Sequence, residues 1–156
     1  MNDLPEKTES FNLNEFFPYQ VHAFHLAVSG SLAAIYTERL GITVNEWRTM
    51  AVLGSEHTLS ASEIVAHTGM NKVVVSRAIK GLHNTSFLRR DIDGLDKRRA
   101  VLSLTQKGRQ AFTTVLPLVR QREKDLLKGF TQDEKQTLLG LMRKVRINTE
   151  SLAKSV

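Results

Sequence analysis

The fold is decided by one segment, SASEIVAHTGMNKVVVSRAIKGLH (residues 60–83). Ser60 and Glu63 have the spacing of a capping box, which opens a short helix, and Gly69 is of the type that ends one. A second helix is predicted over 72–83. Its apolar residues recur at helical spacing and predict a buried face: Val75, Ile79 and Leu82. Two short helices joined by a tight turn are typical of a helix-turn-helix.

Two more helices are predicted upstream of this segment. A long one begins near Pro18, and Gly41 is expected to end it. Its apolar residues follow each other every three to five positions: Val21, Phe24, Val28, Leu32, Ile35 and Leu40. The next helix opens with the capping box of Thr43 and Glu46 and is expected to end near Gly54. The inward positions of that helix are Trp47, Met50 and Leu53.

Downstream, the apolar period changes from helical to alternating. Residues 87–91 and 100–104 alternate, and the polar turn 92–99 between them indicates a β-hairpin. Thr105 is then expected to cap a helix that reaches about Lys128 and bends at Pro117. A third capping box, Thr131 to Glu134, opens a last apolar-faced helix over about 131–153.

Composition excludes several classes of protein. The chain of 156 residues contains no cysteine, which excludes disulfides and thiolate metal sites. No apolar run approaches the ~20 residues of a membrane span, and the polar N-terminus does not resemble a secretory signal. We therefore expect a soluble, cytoplasmic protein with no membrane partner. The net charge of +6 is concentrated, because residues 70–110 carry +7 and the first twenty residues carry −3. Such a basic patch is typical of a phosphate-binding surface, although a solvated charged face is the alternative.

The second helix of the central pair carries a mixture of side chains suited to the major groove of DNA. Arginine reads guanine edges, an apolar side chain contacts the thymine methyl, and lysine and serine bind phosphates. The predicted contacts on or next to this helix are Asn71, Lys72, Val73, Ser76, Arg77 and Lys80. In the hairpin loop, Lys97, Arg98 and Arg99 are expected to reach a neighbouring minor groove, with Asp93 and Asp96 orienting them.

These residues resemble the MarR family (multiple antibiotic resistance regulators). The resemblance covers about residues 18–152, and its most specific part is the pattern Asp93-Gly-Leu-Asp96-Lys-Arg98 followed by Leu104-Thr105-Gln-Lys-Gly108. It implies a homodimeric winged-helix repressor, or less often an activator, whose terminal helices interlock. It also implies a palindromic DNA operator and release by a small phenolic or aromatic acid. Arg98 matches the family's wing arginine and Asp96 its orienting partner.

The same resemblance assigns three further residues and shows one departure. Lys72, Ser76 and Arg77 match positions of the family's recognition helix. Val65 stands where many such motifs have alanine, so the packing of the two helices is expected to change without loss of the motif.

A ligand pocket is expected where the first, second and fifth helices meet. The candidate residues from the first two are Tyr19, His22, His25, Trp47 and Arg48. An arginine or histidine could hold a carboxylate, and the tryptophan could stack on an aromatic ring. The alternatives are that Trp47 belongs to the core and Arg48 to a surface or dimer ion pair. His22 and His25 lack neighbouring metal-ligand residues, so no metal and no cofactor are expected.

The predicted architecture is mainly α with a small β-hairpin wing. A loose tail over 1–14 precedes one domain over 15–156. Within it we expect a winged helix-turn-helix lobe at about 43–104 and dimerisation helices at about 18–40 and 105–153. The sequence carries no glycine-rich phosphate loop or nucleophile elbow, so an enzyme is not expected. The alternative to a ligand-responsive DNA-binding regulator is a non-responsive architectural or RNA-associated winged-helix protein.

Overall fold

The chain folds into two compact units that meet between Leu118 and Val119 in sequence. The structure, a computed structural model, describes residues 11–92 and 100–153. Each unit is described by itself below. The predicted order of four helices, two strands and two helices is confirmed, with one further short strand.

The elements of the first unit begin with a short 3-10 helix, Leu13–Glu15. Helix α1 is Phe17–Leu40, α2 is Val44–Glu56, α3 is Ala61–Thr68 and α4 is Lys72–Asn84. The strands are β1, Thr58–Leu59, β2, Leu88–Ile92, and β3, Ala100–Leu104. Helix α5, Gln106–Leu126, follows β3 and passes through Pro117. Gly41 and Gly69 adopt the left-handed conformation that ends α1 and α3, as predicted.

The three strands form one antiparallel sheet in the order β1-β3-β2. Leu88 pairs with Leu104 and Ile92 with Ala100, so β2 and β3 form the predicted hairpin. Strand β1 pairs with the other edge of β3, with Leu59 opposite Leu102. This strand was missed in the sequence because two residues carry no detectable period.

The core of this unit lies between the helix-turn-helix and the helices around it. Its fully buried apolar side chains come from α2, α3, α4, α5 and the segment after α1: Ile42, Met50, Leu53, Ile64, Val75, Leu82 and Val115. The predicted inward residues of α2 are all buried. On α4, Val75 and Leu82 are buried as predicted, while Ile79 is half-buried and Ala78 takes the remaining core position.

The prediction that α2 ends near Gly54 was wrong by two residues, because the helix continues to Glu56. Glycine is required at position 54 by packing and not by the end of a helix. A Cβ there would overlap the ring of Phe112 in α5, so the close approach of the two helices requires its absence. The sequence suggested a helix end because glycine is a local signal, whereas its partner here is distant along the chain.

The second unit contains the end of α5 and helix α6, Gln132–Ala153. Gly129 has φ +88 in the turn between them. The third capping box is confirmed: the Thr131 N–H donates to Glu134 Oε2 at 2.7 Å, and the Glu134 N–H donates to Thr131 Oγ1 at 3.2 Å. These hydrogen bonds hold the pKa of Glu134 below its ordinary value.

Candidate nucleic-acid interface

Helix α4 presents a polar face to solvent along its whole length. The six predicted contact residues on or next to it are all exposed: Asn71, Lys72, Val73, Ser76, Arg77 and Lys80. The opposite face carries the buried Val75, Ala78 and Leu82. Because burial fixes one side of the helix, the cations and the hydroxyl group are held on the other side.

The N-terminus of α4 is fixed by Asn71. Its Oδ1 accepts a hydrogen bond from the Val74 N–H at 2.9 Å, which is an ordinary N-cap. The amide oxygen is thereby used inside the protein, and the Nδ2 group is the part of this side chain that can donate to DNA. Val73, in the first turn, is 59% exposed, an apolar surface among polar neighbours.

Helices α2 and α4 approach each other closely at Glu46 and Gly81. Glu46 closes the capping box of α2, since its Oε2 accepts from the Thr43 N–H at 2.6 Å. A Cβ on Gly81 would overlap the Glu46 carboxylate. A groove beside this contact is lined in part by Arg77, Val74 and Asn45, so the predicted base-reading arginine stands next to the start of α2.

A cavity of about 320 Å³ lies between the helix-turn-helix and the sheet. Lys72, Ser76 and Arg90 supply two cations and a hydroxyl to its lining, and Val65 and Val75 are among its apolar residues. Val65, the departure noted in the sequence, therefore borders this space between α3 and α4. Sequence reasoning did not single out Arg90 as a site residue, because its role depends on how the sheet packs on α4.

Next to this cavity, β2 carries a second exposed arginine. The Arg89 Nε lies 3.1 Å from Asp91 Oδ2 and donates to Ser103 Oγ at 3.0 Å. Arg89 is thus held along the sheet by its neighbours, whereas Arg90 faces the cavity.

The predicted loop contacts Lys97, Arg98 and Arg99 lie outside the described residues, as do Asp93 and Asp96. Their roles in DNA binding remain predictions from the sequence.

The predicted ligand residues separate into two groups. Trp47 is buried, with its ring stacked on Tyr36 at a centroid distance of 5.4 Å and tilted against Phe112 at 5.7 Å. Arg48 is half-buried, and its positive charge acts on Tyr36. Tyr36 was not singled out in the sequence, although it lies four residues from both Leu32 and Leu40 and so on the same face of α1.

Tyr19, His22 and His25 form the other group and are exposed on the first half of α1. His25 lies about 16 Å from Tyr36 along the helix axis, at 1.5 Å per residue. One copy of the chain therefore does not bring these three residues to Trp47. In the described part of the chain, no three His, Cys, Asp or Glu side chains form a group that could hold a metal ion.

The sequence and the fold match known proteins. A family model described as MarR family matches residues 40–99. An HTH-type transcriptional regulator of Bacillus subtilis, YwaE, is 37% identical over 90 residues. A MarR/EmrR family transcriptional regulator from Acinetobacter sp. ADP1 has a TM-score of 0.82 and 28% identity, and the match covers 90% of this chain and 99% of that one. Residues 40–99 of this chain are thus similar to the MarR family, and its fold is similar to that of a MarR/EmrR family regulator.

This similarity agrees with the predicted winged-helix fold, and the named relatives are transcriptional regulators rather than enzymes. The match to the Bacillus relative covers 58% of this chain and 53% of that protein, about half of its length. A second solved structure with a similar fold is that of BpsR from Bordetella bronchiseptica, whose DNA binding is regulated by 6-hydroxynicotinic acid. Its TM-score is 0.78 at 18% identity, covering 87% of this chain and 96% of that one. Among the described residues, no helix is long and apolar enough to cross a membrane.

Proposed function

We propose that this chain is a MarR-family regulator that binds a palindromic DNA operator as a homodimer, represses transcription there, and is released by a small aromatic or phenolic acid. The main support is the exposed face of α4, where Lys72, Ser76 and Arg77 stand on the side opposite the core. A helix of this kind fits the major groove, and its cations neutralise phosphates.

Recognition is tested by selecting operators from a random duplex library and measuring affinity for the best sequence. If Arg77 reads a guanine through two hydrogen bonds, Arg77→Ala should cost about 1–3 kcal/mol and relax the preference at one base position. Arg77→Lys is the matched control, because it keeps the charge but loses the planar pair of donors. Near-normal binding of Arg77→Lys would instead make this residue a phosphate contact.

The same selection decides between the two predicted function classes. A regulator should enrich a palindrome whose half-sites are about 10 base pairs apart, one turn of the duplex. If the selected sequences share no consensus and the protein binds duplex DNA and RNA with equal affinity, the architectural or RNA-associated alternative is supported.

Dimerisation is supported by apolar surface in each unit. On α1, Val21 and Phe24 are exposed on one face, and α6 exposes a larger face formed by Leu141, Met142, Val145 and Leu152. Monomers rarely leave contiguous apolar faces in water, and such faces commonly mark protein–protein contacts. A second copy of the chain is the partner that a palindromic operator requires.

Release by an aromatic acid is supported by two candidate regions with cationic side chains. One is the Tyr36–Trp47 stack beside Arg48, at the junction predicted from the sequence. The other is the cavity lined in part by Lys72, Ser76 and Arg90. A carboxylate bound there would contact Lys72 and Ser76, which are also predicted to contact DNA. Either arginine can form a charge-assisted pair with a carboxylate.

Effector coupling is tested by titrating aromatic acids, including 6-hydroxynicotinic acid, into the protein with and without operator. Linkage requires that operator weakens the acid by the same factor by which the acid weakens operator, about 5–150-fold for a typical coupling of 1–3 kcal/mol. Loss of coupling in Arg48→Ala but not in Arg90→Ala would locate the site at the Trp47 junction, and the reverse would locate it in the cavity. Equal acid affinities in both titrations would refute release.

A further inference from the structure

The C-terminal end of α4 is joined to the first turn of α5 by a set of contacts that we call the α4–α5 clasp, formed by Thr85–Phe87 and Thr105–Gly108. Thr105 Oγ1 donates to the Ser86 carbonyl oxygen at 2.7 Å and accepts from the Gly108 N–H at 3.0 Å. The Thr105 N–H donates to the Phe87 carbonyl oxygen at 3.0 Å. A Cβ on Gly108 would overlap that carbonyl group. The clasp is therefore closely packed as well as hydrogen-bonded.

Lys107 occupies an electrostatically unexpected place in the clasp. It lies in the first turn of α5, where the partial positive charge of the helix N-terminus disfavours a cation, and that turn contains no acidic residue. Its Nζ instead donates to the carbonyl oxygen of Thr85 at 2.9 Å. Thr85 is the C-cap of α4, so the lysine meets the negative end of another helix.

Further contacts fix the direction of the Lys107 side chain. Its Nζ lies 5.0 Å from the centre of the Phe87 ring, within the range of a cation–π interaction. The Thr85 hydroxyl is turned inward to the α4 carbonyl groups of Gly81 and Leu82, so the Thr85 carbonyl that Lys107 contacts belongs to a well-ordered helix end. The lysine itself is exposed, and exposed contacts of this kind contribute little to global stability.

We propose that Lys107 is a positioning residue for DNA recognition. It caps the recognition helix from α5 and thereby fixes α4 against the helix that leads out of the winged-helix lobe. The inference rests on the proposed function, in which α4 enters the major groove. A recognition helix whose C-terminal end is free to shift would place Arg77 and Lys80 less accurately on their targets, while the charge of the surface and the overall fold stay nearly the same.

The first test needs no DNA. Amide hydrogen exchange is compared between the wild type, Lys107→Met, which keeps the aliphatic stem, and Lys107→Arg, which keeps the donor. Exchange in the last turn of α4 should accelerate in Lys107→Met and return toward wild type in Lys107→Arg, with the first turn of α4 unchanged as the internal control. Unchanged exchange in Lys107→Met would overturn the capping role whether or not the chain binds an operator.

The second test uses the selected operator. Lys107→Met should lower operator affinity about 2- to 30-fold, the range found when residues that couple sites without touching the ligand are changed. Non-specific DNA binding should stay the same, so the ratio of specific to non-specific affinity falls. The slope of log affinity against log salt should also be unchanged, because that slope counts neutralised phosphates.

Thr105→Val breaks the clasp without changing charge, and it should reproduce the loss of operator affinity. The double variant should lose less than the sum of the two single variants, as expected for residues in one network. If Lys107→Met lowers the salt slope by about 1 while Thr105→Val binds normally, Lys107 is a phosphate contact and the proposal is wrong. A wild type that selects no sequence would overturn the proposed function, while the hydrogen-exchange result still decides the capping role.

Discussion

At the scale of single residues, two glycines of the first unit show how much a missing side chain can matter. Gly54 accommodates the Phe112 ring, and Gly108 accommodates the Phe87 carbonyl group. The two obstacles differ in kind, since an aromatic ring can turn aside, whereas the Phe87 carbonyl is part of the backbone and is held by the Thr105 N–H at 3.0 Å. Gly108 is thus the less replaceable of the two.

We expect Gly108→Ala to lower the free energy of unfolding by about 1–3 kcal/mol, the usual cost of forcing extra volume into a packed site. Gly30→Ala is the control, because a Cβ at Gly30 in α1 would meet nothing within 4 Å. That change should leave stability the same or raise it by about 0.5–1 kcal/mol, since glycine is unfavourable inside a helix. Denaturant unfolding measures both. A neutral Gly108→Ala would contradict the close approach of α5 to the Phe87 backbone.

Because of Tyr36, the free energy of unfolding should depend on pH in the alkaline range. Burial raises the pKa of its hydroxyl above the ordinary value, and the nearby charge of Arg48 acts against that rise. The folded state then holds the proton more tightly than the unfolded chain. The stabilisation is fully present below the unfolded pKa and is lost as the pH rises through the folded pKa.

We therefore expect the free energy of unfolding to fall as the pH rises above about 10, the ordinary pKa of tyrosine. Tyr36→Phe should remove this part of the fall, and Tyr19→Phe, which changes the chain's other tyrosine, should keep it. Denaturant unfolding at a series of alkaline pH values measures the effect. The same pH dependence in Tyr36→Phe would show that another group is responsible.

At the scale of elements, three of the described helices, α2, α3 and α6, begin at capping boxes that were predicted from the sequence. The three capping boxes at Thr43, Ser60 and Thr131 are all formed, with the carboxylate of each box accepting the N–H of its cap residue at 2.6–2.7 Å. Helix α4 begins differently, at Asn71 and without a reciprocal glutamate.

Because one hydrogen bond caps α4, we expect Asn71→Ala to destabilise the protein by about 0.5–2 kcal/mol. Asn71→Asp should keep the stability, since its carboxylate can accept the same N–H and favours the helix N-terminus. The same aspartate should weaken DNA binding by repelling phosphate. Thermal unfolding and operator affinity together separate the two roles. Equal stability of the alanine and aspartate variants would contradict the cap.

These elements also show which features of the fold could be predicted from the sequence. Caps, apolar periods and the hairpin are local signals, so α1 to α6, β2 and β3 were predicted within a few residues. The role of Gly54, the stacking of Tyr36 on Trp47 and the placement of Arg90 in the cavity depend on residues far apart in sequence. One chain without its relatives carries no local mark of such contacts, which is why the sequence missed them.

At the scale of the whole molecule, the proposed dimer predicts the effect of a charge on α6. Leu141→Glu places a carboxylate on the exposed apolar face and should shift the chain from dimer to monomer, with loss of operator binding. Gln136→Glu adds the same charge on the polar side of the same helix and should remain dimeric. Light scattering at micromolar concentration measures the difference. A wild-type monomer, or a Leu141→Glu dimer, would contradict the proposed interface.

The burial of Trp47 has a practical consequence for all of these measurements. It is the single tryptophan of the chain, so the whole indole fluorescence arises from the place where α1, α2 and α5 meet. The emission of the folded protein should be that of an indole shielded from water, and it should shift to longer wavelength on unfolding. An acid that enters beside Arg48 should change this emission directly, whereas one bound only in the Lys72 and Arg90 cavity should leave it nearly unaltered. The protein thus contains its own optical reporter, without an added dye.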